Sequence, residues 1–185
     1  MNQTELHTLG IDIGSTTVKI AVLDSNNDVL FSDYERHFAN IQETLSDLLG
    51  RAIYKLGQIK VSPMITGSGG LTLAKHLGVP FVQEVVANSI ALREKYSQVR
   101  TAIELGGQDA KIIFLQGAME VRMNSTCAGG TGAFIDQMAS LLRATQDGYL
   151  RKLLKKRMKW DTVLMSVQNV NSSYSIQMTT DFLQL

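Results

Sequence analysis

The stretch Gly10-Ile-Asp-Ile-Gly-Ser-Thr-Thr-Val-Lys-Ile-Ala-Val-Leu-Asp24 decides the fold of this chain, because its pattern returns 92 residues later. The second copy reads Ala102-Ile-Glu-Leu-Gly-Gly-Gln-Asp-Ala-Lys-Ile-Ile-Phe-Leu-Gln116. Each copy is an apolar run with an acid near its end, a turn of small residues and a second apolar run. Such a pattern is typical of a β-hairpin. The sequence therefore predicts two hairpins, each with a carboxylate at the end of its first strand.

Both turns have the composition of phosphate-binding loops. Glycine lets a chain turn sharply or approach a ligand closely, and successive backbone N–H groups in such a turn form a concavity that binds anions. The residues predicted to surround a phosphate group are Gly14, Ser15, Thr16 and Thr17 in the first turn and Gly106 and Gly107 in the second. Asp12 and Glu104 supply the hard oxygen atoms that Mg²⁺ prefers. Two facing hairpins would thus clamp a polyphosphate and its metal ion, whereas the alternative is two ordinary hairpins with an acid near each turn.

Length and composition indicate a globular chain. It has 185 residues, 44% of them hydrophobic, and a formal net charge of +1, which predicts no general attraction to nucleic acid or lipid. No apolar run approaches the ~20 residues that cross a bilayer, so no membrane partner is expected. The single cysteine excludes an intrachain disulfide, and we expect a cytoplasmic location.

Hydrophobic periodicity predicts an α/β chain with a mixed sheet and helical crossovers. In the first half the pattern favours strands within 9–23, over 29–37 and over 81–85, and helices over 41–56, 71–77 and 86–96. In the second half it favours the repeated hairpin from Thr101, a strand over 118–123 and a helix over 134–142. We expect a first subdomain over 1–100 and the start of a second over 101–148.

A third glycine-rich turn, Asn124-Ser-Thr-Cys-Ala-Gly-Gly-Thr-Gly-Ala133, opens the last of these helices. Free N–H groups and the dipole at a helix N-terminus favour an anion, so Gly130, Thr131 and Gly132 are candidate ligand-binding residues. Cys127 lies just before them. Its environment suits either a thiolate ligand for iron or a small buried side chain, and the spacing leaves both open.

The sequence contains neither a P-loop nor histidines at a metal-binding spacing. Gly67-Ser-Gly-Gly-Leu-Thr72 is not followed by the Gly-Lys-[Ser/Thr] of a P-loop, and Gly129-Gly-Thr-Gly-Ala-Phe134 also lacks the lysine. The three histidines, His7, His37 and His76, have no second ligand at a metal-binding spacing. We expect each of them to be a surface or capping residue.

The ordered motifs resemble those of the ATPase activators of 2-hydroxyacyl-CoA dehydratases and the related ATPase subunits of benzoyl-CoA reductase, within the acetate and sugar kinase, Hsp70 and actin superfamily. The matching segments are 11–19 for the first phosphate loop, 66–70 for a Thr-Gly-x-Gly turn, Glu84 in the following short strand, 105–111 for the second phosphate loop and 124–134 for the cysteine loop.

This resemblance implies an actin-like ATPase fold, in which two ribonuclease-H-like halves hold Mg-ATP in a cleft. It implies a homodimer bridged by one [4Fe-4S] cluster through the Cys127 loop, and ATP-driven electron transfer into a partner dehydratase or reductase component. It also implies that Asp12 and Glu104 hold Mg²⁺, and that Gln108 contacts phosphate. Gln108 or Asp109 would orient the attacking water. Lys19 and Lys111 would be solvated or structural.

Three features depart from the family pattern. Glu104 stands where the family usually has Asp, no second cysteine follows Cys127, and the later adenosine-binding segment has no counterpart. A dimer would offer two thiolates where a Cys₄ cluster needs four. These departures favour a chain that is truncated at its C-terminus, with an incomplete second half. A small-molecule kinase of the same superfamily and a non-catalytic nucleotide-binding or partner-binding remnant stay open as alternatives.

Residues 149–185 form a tail of a different composition. Arg151-Lys-Leu-Leu-Lys-Lys-Arg-Met-Lys159 is strongly basic, and polar side chains dominate the residues that follow. The basic run predicts either an anion-binding arm or a solvated helix face.

Overall fold

The structure is a computed structural model that describes residues 5–125, 131–143, 163–168 and 173–178. The first part of the chain forms β1 (Leu6–Ile13), β2 (Thr17–Leu23), β3 (Val29–Arg36), α1 (Ile41–Leu56), β4 (Lys60–Thr66) and α2 (Gly70–Leu77). The second part forms α3 (Glu84–Lys95), β5 (Thr101–Leu105), β6 (Ala110–Phe114), β7 (Glu120–Met123), α4 (Gly132–Leu141), β8 (Val163–Gln168) and β9 (Ser173–Met178).

The first sheet has the strand order β3-β2-β1-β4. The first predicted hairpin forms its centre, because β1 and β2 pair in antiparallel fashion with Ile13 opposite Val18. β4 joins the other side of β1 in parallel, after the crossover helix α1.

The core of this sheet lies on one face. Alternate residues of β1, Leu9, Ile11 and Ile13, are buried there together with Leu48 of α1 and Ile65 of β4. Because successive strand residues point to opposite faces, Asp12 and its cross-strand partner Lys19 lie on the other face. Burial of each large aliphatic side chain contributes roughly 1.5–3 kcal/mol, so this one-sided core fixes the register that places Asp12.

The second sheet has the order β7-β6-β5-β8-β9. β5 and β6 are the second predicted hairpin, with Leu105 opposite Ala110, and β8 joins the other side of β5 in parallel. The order β7-β6-β5-β8 therefore repeats the order β3-β2-β1-β4, and the duplication seen in the two hairpins extends to four strands in each sheet.

The chain divides into two compact units, residues 1–87 and 88–185, so the boundary lies inside α3. The repeat alone suggests a boundary near residue 100. The difference arises because side chains from the later part of α3 contact the second sheet and its loops: Asn88 reaches Glu104, Ser89 reaches Met119 and Arg93 reaches the carbonyl of Leu115.

Two segments differ from the secondary structure that the sequence predicts. The expected strand over 81–85 is wrong, because only Phe81 makes a β-bridge, to Ile65, and Glu84 is the first residue of α3 rather than part of a strand. β8 and β9 come from the segment predicted to be an atypical tail, and they extend the second sheet. The basic run 151–159 lies outside the described residues. No helix in the described ranges is long and apolar enough to span a bilayer.

Candidate functional site

The turn of the first hairpin is closed by its own backbone. The amide of Gly14 donates to the carbonyl of Thr17 at 2.9 Å, which places Ser15 and Thr16 at the tip. Within the described residues, the amides of Ser15 and Thr16 donate to no acceptor. The amide of Gly14 is therefore already used within the turn, whereas the amides of Ser15 and Thr16 are available to bind a phosphate group.

The second turn has the same construction. The amide of Gly106 donates to the carbonyl of Asp109 at 2.8 Å, and Gly107 and Gln108 form the tip. A Cβ atom on Gly106 would lie 3.1 Å from that same carbonyl oxygen, so the turn favours glycine at this position. Gln108 and Asp109 are exposed. The tip amides of Gly107 and Gln108 likewise donate to no acceptor in the part of the chain that the structure describes.

Each hairpin carries an ion pair between its acid and a lysine seven positions later. Lys19 Nζ lies 2.6 Å from Asp12 Oδ2, and Lys111 Nζ lies 2.8 Å from Glu104 Oε1. Both lysines are the cross-strand partners of the acids. Of the two expected roles for these lysines, solvated or structural, the ion pairs favour the structural one. Lys111 is only 8% exposed.

The two acids differ in what else they contact. Glu104 is 3% exposed, and its second oxygen, Oε2, accepts a hydrogen bond of 2.8 Å from Asn88 of α3. Both oxygens of Glu104 are thus engaged inside the second unit. Asp12 Oδ1 is buried and has no hydrogen-bond partner among the described residues.

A second unpartnered polar atom lies next to Asp12. Thr66 is the in-register partner of Asp12 across the parallel strands β1 and β4, and its Oγ1 is also buried without a partner among residues that the structure describes. Thr66 is part of the Thr-Gly-x-Gly turn but was not among the predicted site residues. Nothing in the sequence alone shows that β4 pairs with β1 in this register.

Gly67 brings the backbone of this turn against Asp12. Its φ is +91°, and a Cβ atom there would lie 2.4 Å from Asp12 Oδ1 and 2.3 Å from the carbonyl oxygen of Ile13. No side chain fits in that space. The Gly67 turn therefore places its backbone directly beside the unpartnered carboxylate oxygen.

His37, expected to be a surface or capping residue, is 8% exposed, so the surface alternative is wrong for it. Its ring Nε2 lies 3.2 Å from the carbonyl oxygen of Gly14, and its own backbone amide donates to the carbonyl of Thr16. His37 thus contacts the first turn at two points. The sequence did not predict these contacts, because His37 lies about 20 residues after the turn. The only available signal was that β3 follows β2 as a simple meander, which brings the end of β3 near the turn.

The third glycine-rich turn is described only in part. Cys127 and Gly130 lie outside the described residues. Thr131 is fully buried and precedes the first turn of α4, and the amide of Gly132 donates to the carbonyl of Gly106 at 2.8 Å. The start of α4 is thereby joined to the second hairpin turn. The described ranges contain no group of three His, Cys, Asp or Glu side chains that could hold a metal ion.

Residues 9–150 match the model of the BadF/BadG/BcrA/BcrD ATPase family. The chain is 30% identical over 142 residues to the (R)-2-hydroxyglutaryl-CoA dehydratase activating ATPase of Acidaminococcus fermentans, a match that covers 74% of this chain and 54% of that relative. The crystal structure of the (R)-2-hydroxyglutaryl-CoA dehydratase component A of that organism has a TM-score of 0.63 and 26% identity, covering 83% of this chain and 60% of the other. The activator of the 2-hydroxyisocaproyl-CoA dehydratase from Clostridium difficile, solved with bound ADPNP, has a TM-score of 0.61 and 25% identity. This match covers 84% of this chain and 59% of the activator.

These similarities confirm two predictions, the resemblance to the dehydratase activators and the actin-like mixed α/β fold class. The chain spans about half the length of the curated relative from A. fermentans.

Proposed function

Because the chain belongs to the BadF/BadG/BcrA/BcrD ATPase family, we propose that the turn of its first hairpin binds the phosphate groups of ATP together with Mg²⁺. The observation that carries this proposal is the tip of the turn, where the amides of Ser15 and Thr16 are available as donors beside an acid that retains an unpartnered oxygen. Consecutive amides of this kind bind phosphate oxygens. The Ser15 and Thr16 hydroxyls add further donors.

Asp12 fits a magnesium site, since Lys19 engages Oδ2 and leaves Oδ1 without a partner among the described residues. The unpartnered Thr66 Oγ1 beside it could accept a hydrogen bond from a water of the magnesium shell, because Mg²⁺ usually retains several waters. When bound, the ion would neutralise charge on the phosphate groups.

Glu104 does not fit the predicted magnesium site. Its two oxygens accept hydrogen bonds from Lys111 and Asn88, and a metal ion would have to displace one of these buried partners. We therefore assign the metal to Asp12 alone. The roles of Gln108 and Asp109 in orienting water, and the joint action of both turns on one nucleotide, stay predictions.

The names of the relatives favour a role as the nucleotide-binding part of an activator. The curated relative is named an (R)-2-hydroxyglutaryl-CoA dehydratase activating ATPase. We infer that this chain acts on an acyl-CoA dehydratase or reductase component. Cytoplasmic location and a homodimer through the Cys127 loop remain predictions. The side chains of these 185 residues do not fit a complete [4Fe-4S] site, because they include a single cysteine and even a dimer would supply two thiolates for four iron ligands.

A second candidate function is nucleotide binding without turnover. The engagement of both Glu104 oxygens favours it, because an acid held in this way is withdrawn from the metal and from water.

Anaerobic purification followed by nucleotide binding, hydrolysis, and iron and sulfide assays tests these functions. Saturable Mg²⁺-dependent binding of ATP is expected, and its absence would remove the proposal. Steady hydrolysis without an added acceptor supports the activator. Turnover only with an added hydroxyl or carboxyl substrate supports a kinase, and binding without turnover supports the second candidate.

A further inference from the structure

We propose that His37 is a positioning residue for the first phosphate-binding turn, because it fixes the carbonyl of Gly14 and thereby aims the amide of Ser15. The proposal rests on the function proposed above. It concerns a side chain that no sequence motif marks and that the resemblance to the activators does not assign.

The hydrogen bonds of the imidazole define its protonation pattern. The amide of Ala39 donates to Nδ1 at 3.0 Å, so Nδ1 carries no proton. The partner of Nε2 is the carbonyl oxygen of Gly14 at 3.2 Å, which can only accept, so Nε2 carries the proton. These partners together require a neutral ring protonated at Nε2. Both ring nitrogens are used, and the ring bridges the end of β3 and the turn after β1.

The backbone after His37 is shaped to hold the ring in this place. Phe38 and Ala39 have φ values of +42° and +69°, a conformation that residues with a Cβ atom rarely adopt. The amide of Asn40 returns to the carbonyl of His37 and closes this turn. Arg36 lies over the ring of Phe38, with its guanidinium carbon 5.8 Å from the ring centre. Two consecutive residues in an unfavourable conformation persist only where surrounding contacts compensate, and such positions concentrate at functional sites.

The carbonyl held by His37 belongs to the peptide that carries a proposed phosphate donor. In a trans peptide the carbonyl of one residue and the amide of the next lie in one plane and point in opposite directions. Fixing the Gly14 carbonyl therefore fixes the direction of the Ser15 amide. Without that restraint this peptide could rotate and present its carbonyl oxygen, which repels phosphate.

The second turn supports this interpretation independently. Gly106 is the repeat equivalent of Gly14, and its carbonyl is also held, by the amide of Gly132 at 2.8 Å. Different donors thus restrain the same carbonyl in the two copies: a side chain in the first and the backbone at the start of α4 in the second. The equivalent carbonyl is therefore held in both turns, although the donors differ.

Two substitutions separate positioning of the turn from general support of the fold. His37→Gln can place an amide nitrogen near the position of Nε2 and keep the donor to Gly14. His37→Asn can accept from Ala39 near the position of Nδ1 but is too short to reach Gly14. We expect His37→Asn to weaken binding of a non-hydrolysable ATP analogue roughly tenfold, as the loss of one well-placed hydrogen bond would, and His37→Gln to stay within about threefold of the unmodified chain.

His7 supplies the matched control. It is also buried, at 3% exposure, but lies on β1 far from the turn, so His7→Asn should lower the melting temperature without changing nucleotide affinity. Equal affinities for His37→Asn and His37→Gln would overturn the proposal, and so would a loss for His7→Asn as large as that for His37→Asn.

The unmodified chain provides a test that depends neither on folding of a variant nor on nucleotide binding. Long-range ¹H–¹⁵N NMR spectra of the imidazoles should show His37 protonated at Nε2 and unprotonated at Nδ1. A proton on Nδ1 would contradict the proposal. If the chain binds no ATP analogue, the function proposed above fails. The role of His37 can still be decided without nucleotide, from the imidazole spectrum and from the chemical shift of the Ser15 backbone amide in His37→Asn and His37→Gln.

Discussion

Among single residues, Gly67 determines where the Asp12 carboxylate can lie. Its positive φ and the 2.3 Å and 2.4 Å approaches that a Cβ atom would make leave no position for any other residue type. Gly78, which ends α2 in the left-handed conformation with φ +65°, has nothing within 4 Å of such an atom. The two glycines therefore both have a positive φ but differ in the space around the position of a Cβ atom.

Substitution to alanine should separate these two effects. Gly78→Ala should reduce the free energy of unfolding by about 1 kcal/mol, the cost of the left-handed conformation alone. Gly67→Ala should reduce it by at least about 2 kcal/mol, because steric overlap adds to that cost. Urea unfolding of both variants measures the difference. Equal losses would show that the close approach at Gly67 relaxes freely.

The acids of the two hairpins should respond differently to neutralisation. Glu104→Gln removes the carboxylate charge that pairs with the buried Lys111, and we expect a loss of about 3 kcal/mol in the free energy of unfolding. Asp12→Asn should cost less, because Asp12 and Lys19 are each 18% exposed, but it should raise the Mg²⁺ concentration needed for nucleotide binding.

Unfolding experiments and Mg²⁺ titrations on the same two variants check both expectations. The double variant Glu104→Gln with Lys111→Met should recover part of the stability, since it removes the buried ammonium group together with its carboxylate partner. A changed Mg²⁺ dependence in Glu104→Gln at unchanged stability would show instead that Glu104 binds the metal.

At the level of single side chains, the sequence predicts which acids and glycines matter but not how they are engaged. The lysine seven positions after each acid could have been paired with it, because a hairpin closed between Ile13 and Val18 places Asp12 opposite Lys19. The contacts of Thr66, Asn88 and His37 could not be predicted in this way. They depend on strand registers and a helix orientation that arise from tertiary packing.

Among the secondary structure elements, α3 contacts the central strand of the second sheet through a hydrogen bond to a buried carboxylate. Asn88 donates to Glu104 at 2.8 Å, and Glu104 also accepts from Lys111 of β6. The helix, the central strand β5 and the neighbouring strand β6 thus meet at a single carboxylate. With the contacts of Ser89 and Arg93, this hydrogen bond joins the later part of α3 to the second unit.

Removal of the amide should loosen α3 from β5. Asn88→Ala should cost about 1.5–3 kcal/mol, the range for hydrogen bonds to charged groups. In a double-mutant cycle, the Asn88→Ala and Glu104→Ala losses should be clearly non-additive, because each removes one partner of the same hydrogen bond. Additive losses in urea unfolding would mean that the helix is held by other contacts.

The pattern of elements was largely predictable where periodicity and turn chemistry agree. The first hairpin, the strand after it, α1, and α2 ending at Gly78 follow directly from apolar spacing and glycine placement. The strand expected over 81–85 fails because the chain makes only one bridge there before α3 begins. A short apolar run does not distinguish a strand from a buried helix start.

For the whole molecule, the duplicated hairpins signal a duplicated sheet order, β3-β2-β1-β4 and β7-β6-β5-β8. The first three strands of each sheet can be inferred from the repeat. The fourth strand of the second sheet was not predicted, because β8 lies within the segment interpreted as an atypical polar and basic tail, although β8 itself is largely apolar.

The central claim is that the tip of the first hairpin turn binds the phosphate groups of a magnesium nucleotide. Titration of the ¹⁵N-labelled chain with a non-hydrolysable ATP analogue and Mg²⁺, followed through backbone amide shifts, tests it most directly. We predict saturable binding with the largest shifts at the amides of Ser15 and Thr16. The absence of saturation would contradict the claim, and so would shifts confined to the open depression between β3 and α1 that is lined by Glu35, Asp47, Arg51 and Tyr54.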